Sequence, residues 1–249
     1  MMMTSLADGL PSCDIYPELA GARVLVTGLG PTSGVDIARA FADHGARLVL
    51  QTSDTSAEMQ AVLEMLAHTA SDIGVFHEPL QTAAQATSFA RMAVGRFGGL
   101  DVVVNLIPFD LSDLEPAPTM AMIEEAIAAR IRVPYTLMRV AANRMQLTWT
   151  EGSIVNVLTT SVPRSRAEAS FAALAGTVLA TMTRVEAGQR AAQAVRINAI
   201  VPGRNADWRE PVRQASGPEI ANLTLLLASR RGKNLSGLSF DSDRLAGER

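Results

Sequence analysis

The sequence predicts a single α/β domain with a doubly wound, mostly parallel sheet of about seven strands and helices on both faces. Three observations carry that reading. Short β-branched runs alternate with longer, alanine-rich stretches of helical period along the whole chain. The short runs are apolar almost without interruption, as strands covered on both faces must be. The chain has 249 residues, 48% hydrophobic and 19% charged, which suffices for one large core and is ordinary globular usage. No linker, repeat or low-complexity segment divides it, so 1–249 reads as one domain with an N-terminal extension over 1–20.

ARVLVTG (22–28) is the first strand and GVDIARAFADHG (34–45) the helix after it. ARLVLQ (46–51) is the second strand. The next helix opens at TSAE (55–58), where Thr55 caps and Glu58 completes a capping box. GVFHE (74–78) is a short strand, and QATSFARMAVGRFGG (85–99) is a helix that stops at paired glycines. LDVVVNLI (100–107) is a buried strand, a long helix spans 119–146, and SIVNVL (153–158) is the next strand. A second capping box, Ser165 with Glu168, opens a helix that ends near Gly188. VRINAIV (195–201), a helix through PEIANLTLLLAS (218–229) and the short strand LSF (238–240) complete the pattern.

Composition narrows the function. A net charge of −3 and a pI near 5.7 argue against a nonspecific nucleic-acid binder, which needs a basic face. No apolar run reaches the roughly 18 residues of a membrane span. The start, MMMTSLADGLPSCDIYPELAG, lacks the cationic region and apolar core of a secretory signal, so a cytoplasmic protein is expected. Cys13 is the only cysteine, which rules out an internal disulfide. Lys233 is the only lysine, and Tyr16 and Tyr135 are the only tyrosines.

TGLGPTSG (27–34) follows the first strand and opens the first helix, where a doubly wound fold offers backbone N–H groups to a dinucleotide pyrophosphate. With ELAGARVLVTGLG, VVVNLI, GSIVNV and VRINAIVPG in order, the chain resembles the short-chain dehydrogenase/reductase family over roughly residues 18 to 243. That resemblance implies a Rossmann-type domain, NAD or NADP, and carbonyl or alcohol chemistry by an Asn, Ser, Tyr, Lys set. In that set the Lys lowers the pKa of a Tyr one helical turn away, and the Tyr moves the proton.

Matched residue by residue, this sequence departs from that pattern. The glycine turn becomes Thr27, Gly28, Thr32 and Gly34, with a β-branched Thr32 for the middle glycine. Thr52 and Ser53 stand where an acid usually holds the ribose, and the Asn-Asn-Ala-Gly segment reads Asn105, Leu106, Ile107, Pro108. Asp207 replaces a cofactor-binding Thr; a carboxylate ~4 Å from a pyrophosphate costs about 4 kcal/mol per unit charge at an effective dielectric near 20. Gly28, Thr32, Gly34 and Asn105 therefore read as a vestigial cofactor site, and no cofactor is expected in this chain. The catalytic positions fall on Arg130, Thr159, Ala172 and Gly176, so the Tyr–Lys pair is absent. Residues 204–217, the substrate loop, are only fourteen in number, too few for the family's helical lid.

Other candidates read as structural. His44, His68 and His77 have no metal-ligand spacing, and His44 suits a helix C-terminus. Arg130, Arg132, Arg164 and Arg166 read as solvated faces or subunit salt bridges before a phosphate or CoA patch, and Trp149 and Trp208 carry no specific signal. The helix from Ala167 to Gly188 is small or apolar nearly all round, so one face needs a partner. The resemblance supplies one: a catalytic paralogue, holding NAD or NADP, in a heterotetramer built on the helices near 119–146 and 166–188. The first reading is thus a non-catalytic subunit, resembling the inactive partners of hydroxyacyl-CoA-type alcohol dehydrogenases in anaerobic toluene (benzylsuccinate) β-oxidation. The alternatives are an active, atypical NADP-dependent oxidoreductase using Thr159, and a nucleotide- or acyl-CoA-binding module without turnover.

Overall fold

The computed structural model describes residues 15–109, 119–148, 150–203 and 215–244. Seven strands, β1 (Arg23–Thr27), β2 (Arg47–Gln51), β3 (Asp72–Phe76), β4 (Val102–Phe109), β5 (Ser153–Thr160), β6 (Arg196–Val201) and β7 (Ser239–Asp241), form one sheet in the order β3-β2-β1-β4-β5-β6-β7. Every pairing is parallel. Six helices connect them: α1 (Val35–Asp43), α2 (Ala57–Thr69), α3 (Ala83–Phe97), α4 (Met120–Leu147), α5 (Arg166–Arg190) and α6 (Gly217–Ala228). None of the described helices is long and apolar enough to cross a membrane.

Strand alternation explains the two layers. Val24 and Val26 point to the face covered by α1, α2 and α6, while Leu25 and Val103 point to the face covered by α3 and α4. The strand order reverses between β1 and β4. In an open α/β sheet that reversal opens a crevice outside the strand C-termini, and ligands bind there.

Several element ends differ from the sequence expectation, each for a local reason. Ser56, not Thr55, caps α2: its hydroxyl accepts the Met59 N–H at 3.2 Å. Asp54 accepts the Ser56 N–H at 2.7 Å, and that turn delays the helix by one residue. Ser165 does cap α5, but the Glu168 carboxylate accepts from Arg164 N–H rather than from Ser165, so only half the box forms. A complete capping box, Thr82 with Gln85, opens α3 earlier than expected. β4 and β5 run on to Phe109 and Thr160, past the expected ends at 107 and 158, and these extra residues reach into the crevice.

At the opposite end of the sheet Arg23 and Asp101 tie β1 to the entry of β4. The Asp101 carboxylate accepts the Arg23 backbone N–H at 2.8 Å and two guanidinium N–H groups at 2.9 and 2.6 Å. Burial pushes the Asp101 carboxyl up, but the Arg23 hydrogen bonds and charge outweigh it and hold the group below the ordinary carboxylate value. A carboxyl depressed in the folded state stabilises at neutral pH, and that contribution is lost as pH falls through its folded value. Arg23→Met is expected to cost about 1–2 kcal/mol in urea unfolding at pH 7, and the cost should shrink as pH falls through the Asp101 titration.

Candidate functional site

The crevice begins with a buried polar chain that locks three strands in register. Thr27, Asn105 and Asn156 are level partners on β1, β4 and β5. Thr27 Oγ1 donates to Asn105 Oδ1 at 3.1 Å, and Asn105 Nδ2 donates to Asn156 Oδ1 at 2.8 Å. Both ends of the Asn105 amide are thus used inside the sheet.

Above this chain lies the glycine turn. Gly28 (φ 74°) and Gly34 (φ 80°) both take left-handed backbone conformations. Each also meets Leu106: the Leu106 carbonyl oxygen lies 2.5 Å from where a Gly28 Cβ would be, and Leu106 Cδ1 fills the Cβ position of Gly34. Both glycines are therefore required by the fold itself. Four of the turn's N–H groups are taken up locally. Gly28 N–H donates to Gln51 Oε1 at 2.9 Å and Leu29 N–H to the Gln51 carbonyl at 3.0 Å. Gly30 and Ser33 exchange backbone bonds at 3.1 and 3.3 Å. Thr32 is exposed at the tip.

Leu106 and Pro108 form the common wall of two open hollows. One, of about 450 Å³, holds Thr32, Gly34, Asp36 and Gly217 together with the hydroxyl residues Thr159, Thr160 and Ser161. The other, of about 500 Å³, holds Gly28, Gln51, Ser53 and Arg130. Arg130 Nη1 reaches the Pro108 carbonyl at 3.5 Å, so Arg130 stands across that wall from Thr159 and the structure does not bring the two together. Pro134, one turn on in α4, has no N–H and withdraws the helical bond that would end on the Arg130 carbonyl. Thr52 is buried and accepts the Asp54 N–H at 3.0 Å, while Ser53 lines the second hollow.

Ala172 and Gly176 sit on the inner face of α5, both buried, with Ala172 6% exposed. Ala172 joins an apolar cluster with Ile107, Phe109, Leu158 and Phe171 at the strand C-termini. Phe109 and Phe171 meet edge to face at 5.7 Å. A Cβ on Gly176 would rest 3.5 Å from Val201, ordinary contact. Tyr135, on α4, packs against this cluster, and the chain's one lysine, Lys233, lies elsewhere. Tyr135 donates to Glu186 Oε1 at 2.7 Å; that hydrogen bond, together with burial, raises the phenol. Tyr16 stacks near His44 before β1, and Lys233 follows α6.

Gly203 lies against Asp241 and Asp243 beyond β6 and β7. Burial and the Asp241 charge push the Asp243 carboxyl up, against the pull of the Gly203 N–H. His44 and His68 each hold a carbonyl one turn back through Nδ1, as helix-end residues do. Among the described residues no group of His, Cys, Asp or Glu could hold a metal. Arg132, Arg164 and Arg166 are exposed on α4 and at the start of α5. Asp207, Trp149, Trp208 and residues 204–214 of the substrate loop lie outside the described residues. The contribution of Leu106, Gln51 and Phe109 was missed by sequence reasoning; only the unusual Leu-Ile-Pro after Asn105 hinted at it.

A family model described as enoyl-(acyl carrier protein) reductase matches residues 33–207. The chain belongs to the short-chain dehydrogenase/reductase family. An uncharacterized oxidoreductase of Mycobacterium tuberculosis is 32% identical over 246 residues, covering 88% of this chain and 89% of that protein. L-fucose dehydrogenase of Rattus norvegicus is 30% identical over 220 residues, covering 86% and 78%. A short-chain dehydrogenase/reductase of Mycobacterium marinum superposes with a TM-score of 0.73 at 20% identity, covering 91% of this chain and 95% of that one. Short-chain dehydrogenases generally bind NAD or NADP across the crevice that Leu106 and Pro108 divide in this member.

Gly34→Ala should destabilise by about 2–4 kcal/mol, the sum of left-handed strain and overpacking on Leu106. In a Leu106→Ala background the same substitution should cost less, because only the strain remains. Urea unfolding of the four-member cycle reads the difference.

Proposed function

We propose that this chain is a non-catalytic subunit of a hetero-oligomeric NAD(P)-dependent short-chain alcohol dehydrogenase, stabilising or shaping a catalytic paralogue in the cytoplasm. One observation carries the reading: Ala172 and Gly176 stand where the family keeps its proton-moving pair, and both are buried, Ala172 in an apolar cluster and Gly176 beside Val201. A general acid contributes about 10² to 10⁴ in rate, and here both the acid and the cation that tunes it are replaced by packing. The outer face of α5 supports the assembly half of the proposal. Leu174 and Val185 are 37% and 52% exposed on it, on a stripe with Thr177 and Thr181. Small and apolar residues open to water along one helix face suit a second helix laid against them.

Two substrate classes stand for such a complex. The resemblance drawn from sequence points to a hydroxyacyl-CoA of aromatic degradation, while the rat relative's name points to a sugar. A second function is favoured by Thr159, which lines the first hollow. An active enzyme would use that hydroxyl to hold a carbonyl and take its proton from water.

The chain purified alone should show no turnover with NAD⁺ or NADP⁺ and either an L-fucose or a hydroxyacyl-CoA substrate. Co-expressed with a short-chain dehydrogenase that keeps the full catalytic set, one expected to be encoded beside it, it should co-purify as a heterotetramer by native mass spectrometry. Leu174→Arg should abolish that assembly without unfolding the chain. Turnover by the chain alone, saturable and abolished by Thr159→Val, would establish the second reading instead.

A further inference from the structure

A dinucleotide in a doubly wound fold must meet the N–H groups of the glycine turn, approach the N-terminus of the first helix, and cross the ends of the strands at the reversal point. At each of these places this chain puts a group of its own. Gln51 occupies the turn. Its amide is held at both ends, with Oε1 accepting Gly28 N–H at 2.9 Å and Nε2 donating to the Glu78 carbonyl at 3.0 Å, and the residue is 5% exposed. Asp36 occupies the helix terminus. It lies in the first turn of α1, and its carboxylate rests against Gly217 in the first turn of α6. The Asp36 carboxylate thus lies between the first turns of two helices. Leu106 occupies the crossing. It is 3% exposed, its methyl fills the Gly34 Cβ position, and with Pro108 it separates the two hollows.

We infer that Leu106, Asp36 and Gln51 close the crevice against dinucleotides, so that the chain holds its fold with its own side chains in place of a cofactor. The residues present do not fit NAD or NADP. To bind, a dinucleotide would have to displace a packed leucine and bring its phosphate charges against the Asp36 carboxylate. The retained glycines do not contradict this, since Leu106 and the backbone conformation require them. The inference rests on the non-catalytic reading.

The test is calorimetric titration of the full chain with NADH and NADPH, alongside Asp36→Ala/Leu106→Ala. The wild-type chain should show no saturable heat up to about 1 mM of either nucleotide, and the double variant should bind at least about tenfold tighter. Should truncation to Ala prevent folding, Asp36→Ala/Leu106→Val keeps the strand while opening the wall, and the same gain is expected. Saturable binding by the wild-type chain overturns the closure, as does a folded variant that binds no better. Binding by the wild type without turnover leaves the non-catalytic reading standing; turnover by the wild type overturns that reading.

Discussion

The close approach of the end of β4 to the turn after β1 governs the rest of the site. Leu106 brings its carbonyl to Gly28 and its side chain to Gly34, and both glycines are left-handed. A side chain at either position would be strained by the backbone and crowded by Leu106 at once. The glycine turn, where the family binds a nucleotide, is packed against Leu106 in this chain. Gln51 then completes the closure by taking the Gly28 N–H. The polar chain of Thr27, Asn105 and Asn156 beneath holds β1, β4 and β5 level, so that Leu106 arrives at the right height.

Close packing also marks the other side of the wall. The extra length of β4 carries Phe109 to Phe171 on α5, and Ala172 and Gly176 follow on the same buried face. What remains polar is a row of hydroxyls, Thr159, Thr160 and Ser161, with no described base or cation of the family's kind beside it.

The sheet, its strand number and the inner face of α5 were legible from sequence because they depend on periodicity and on apolar runs such as VVVNLI and SIVNV. The sequence alone also places the chain's one lysine at 233 and its tyrosines at 16 and 135. Element ends were read less well. The shift of the α2 cap from Thr55 to Ser56 depends on an Asp54 turn that competes with the capping box. The extension of β4 through Pro108 ran against the usual reading of proline as a strand breaker; Pro108 is exposed, and β4 extends past it on its pairing with β5. The closure of the crevice was not legible at all. It arises from contacts between residues far apart in sequence, Gly28 with Gln51, Gly34 with Leu106, and Asp36 with Gly217, that only the fold brings together.

The most direct test of this account is methyl NMR of the ligand-free chain with leucine methyls labelled. Leu106 should show a strong NOE from a methyl to the Gly34 Hα, and neither its shift nor that NOE should change when NADH is added to millimolar concentration. A Leu106 methyl with no contact to Gly34, or one that leaves the turn as NADH is added, would contradict the claim that the crevice is filled from within.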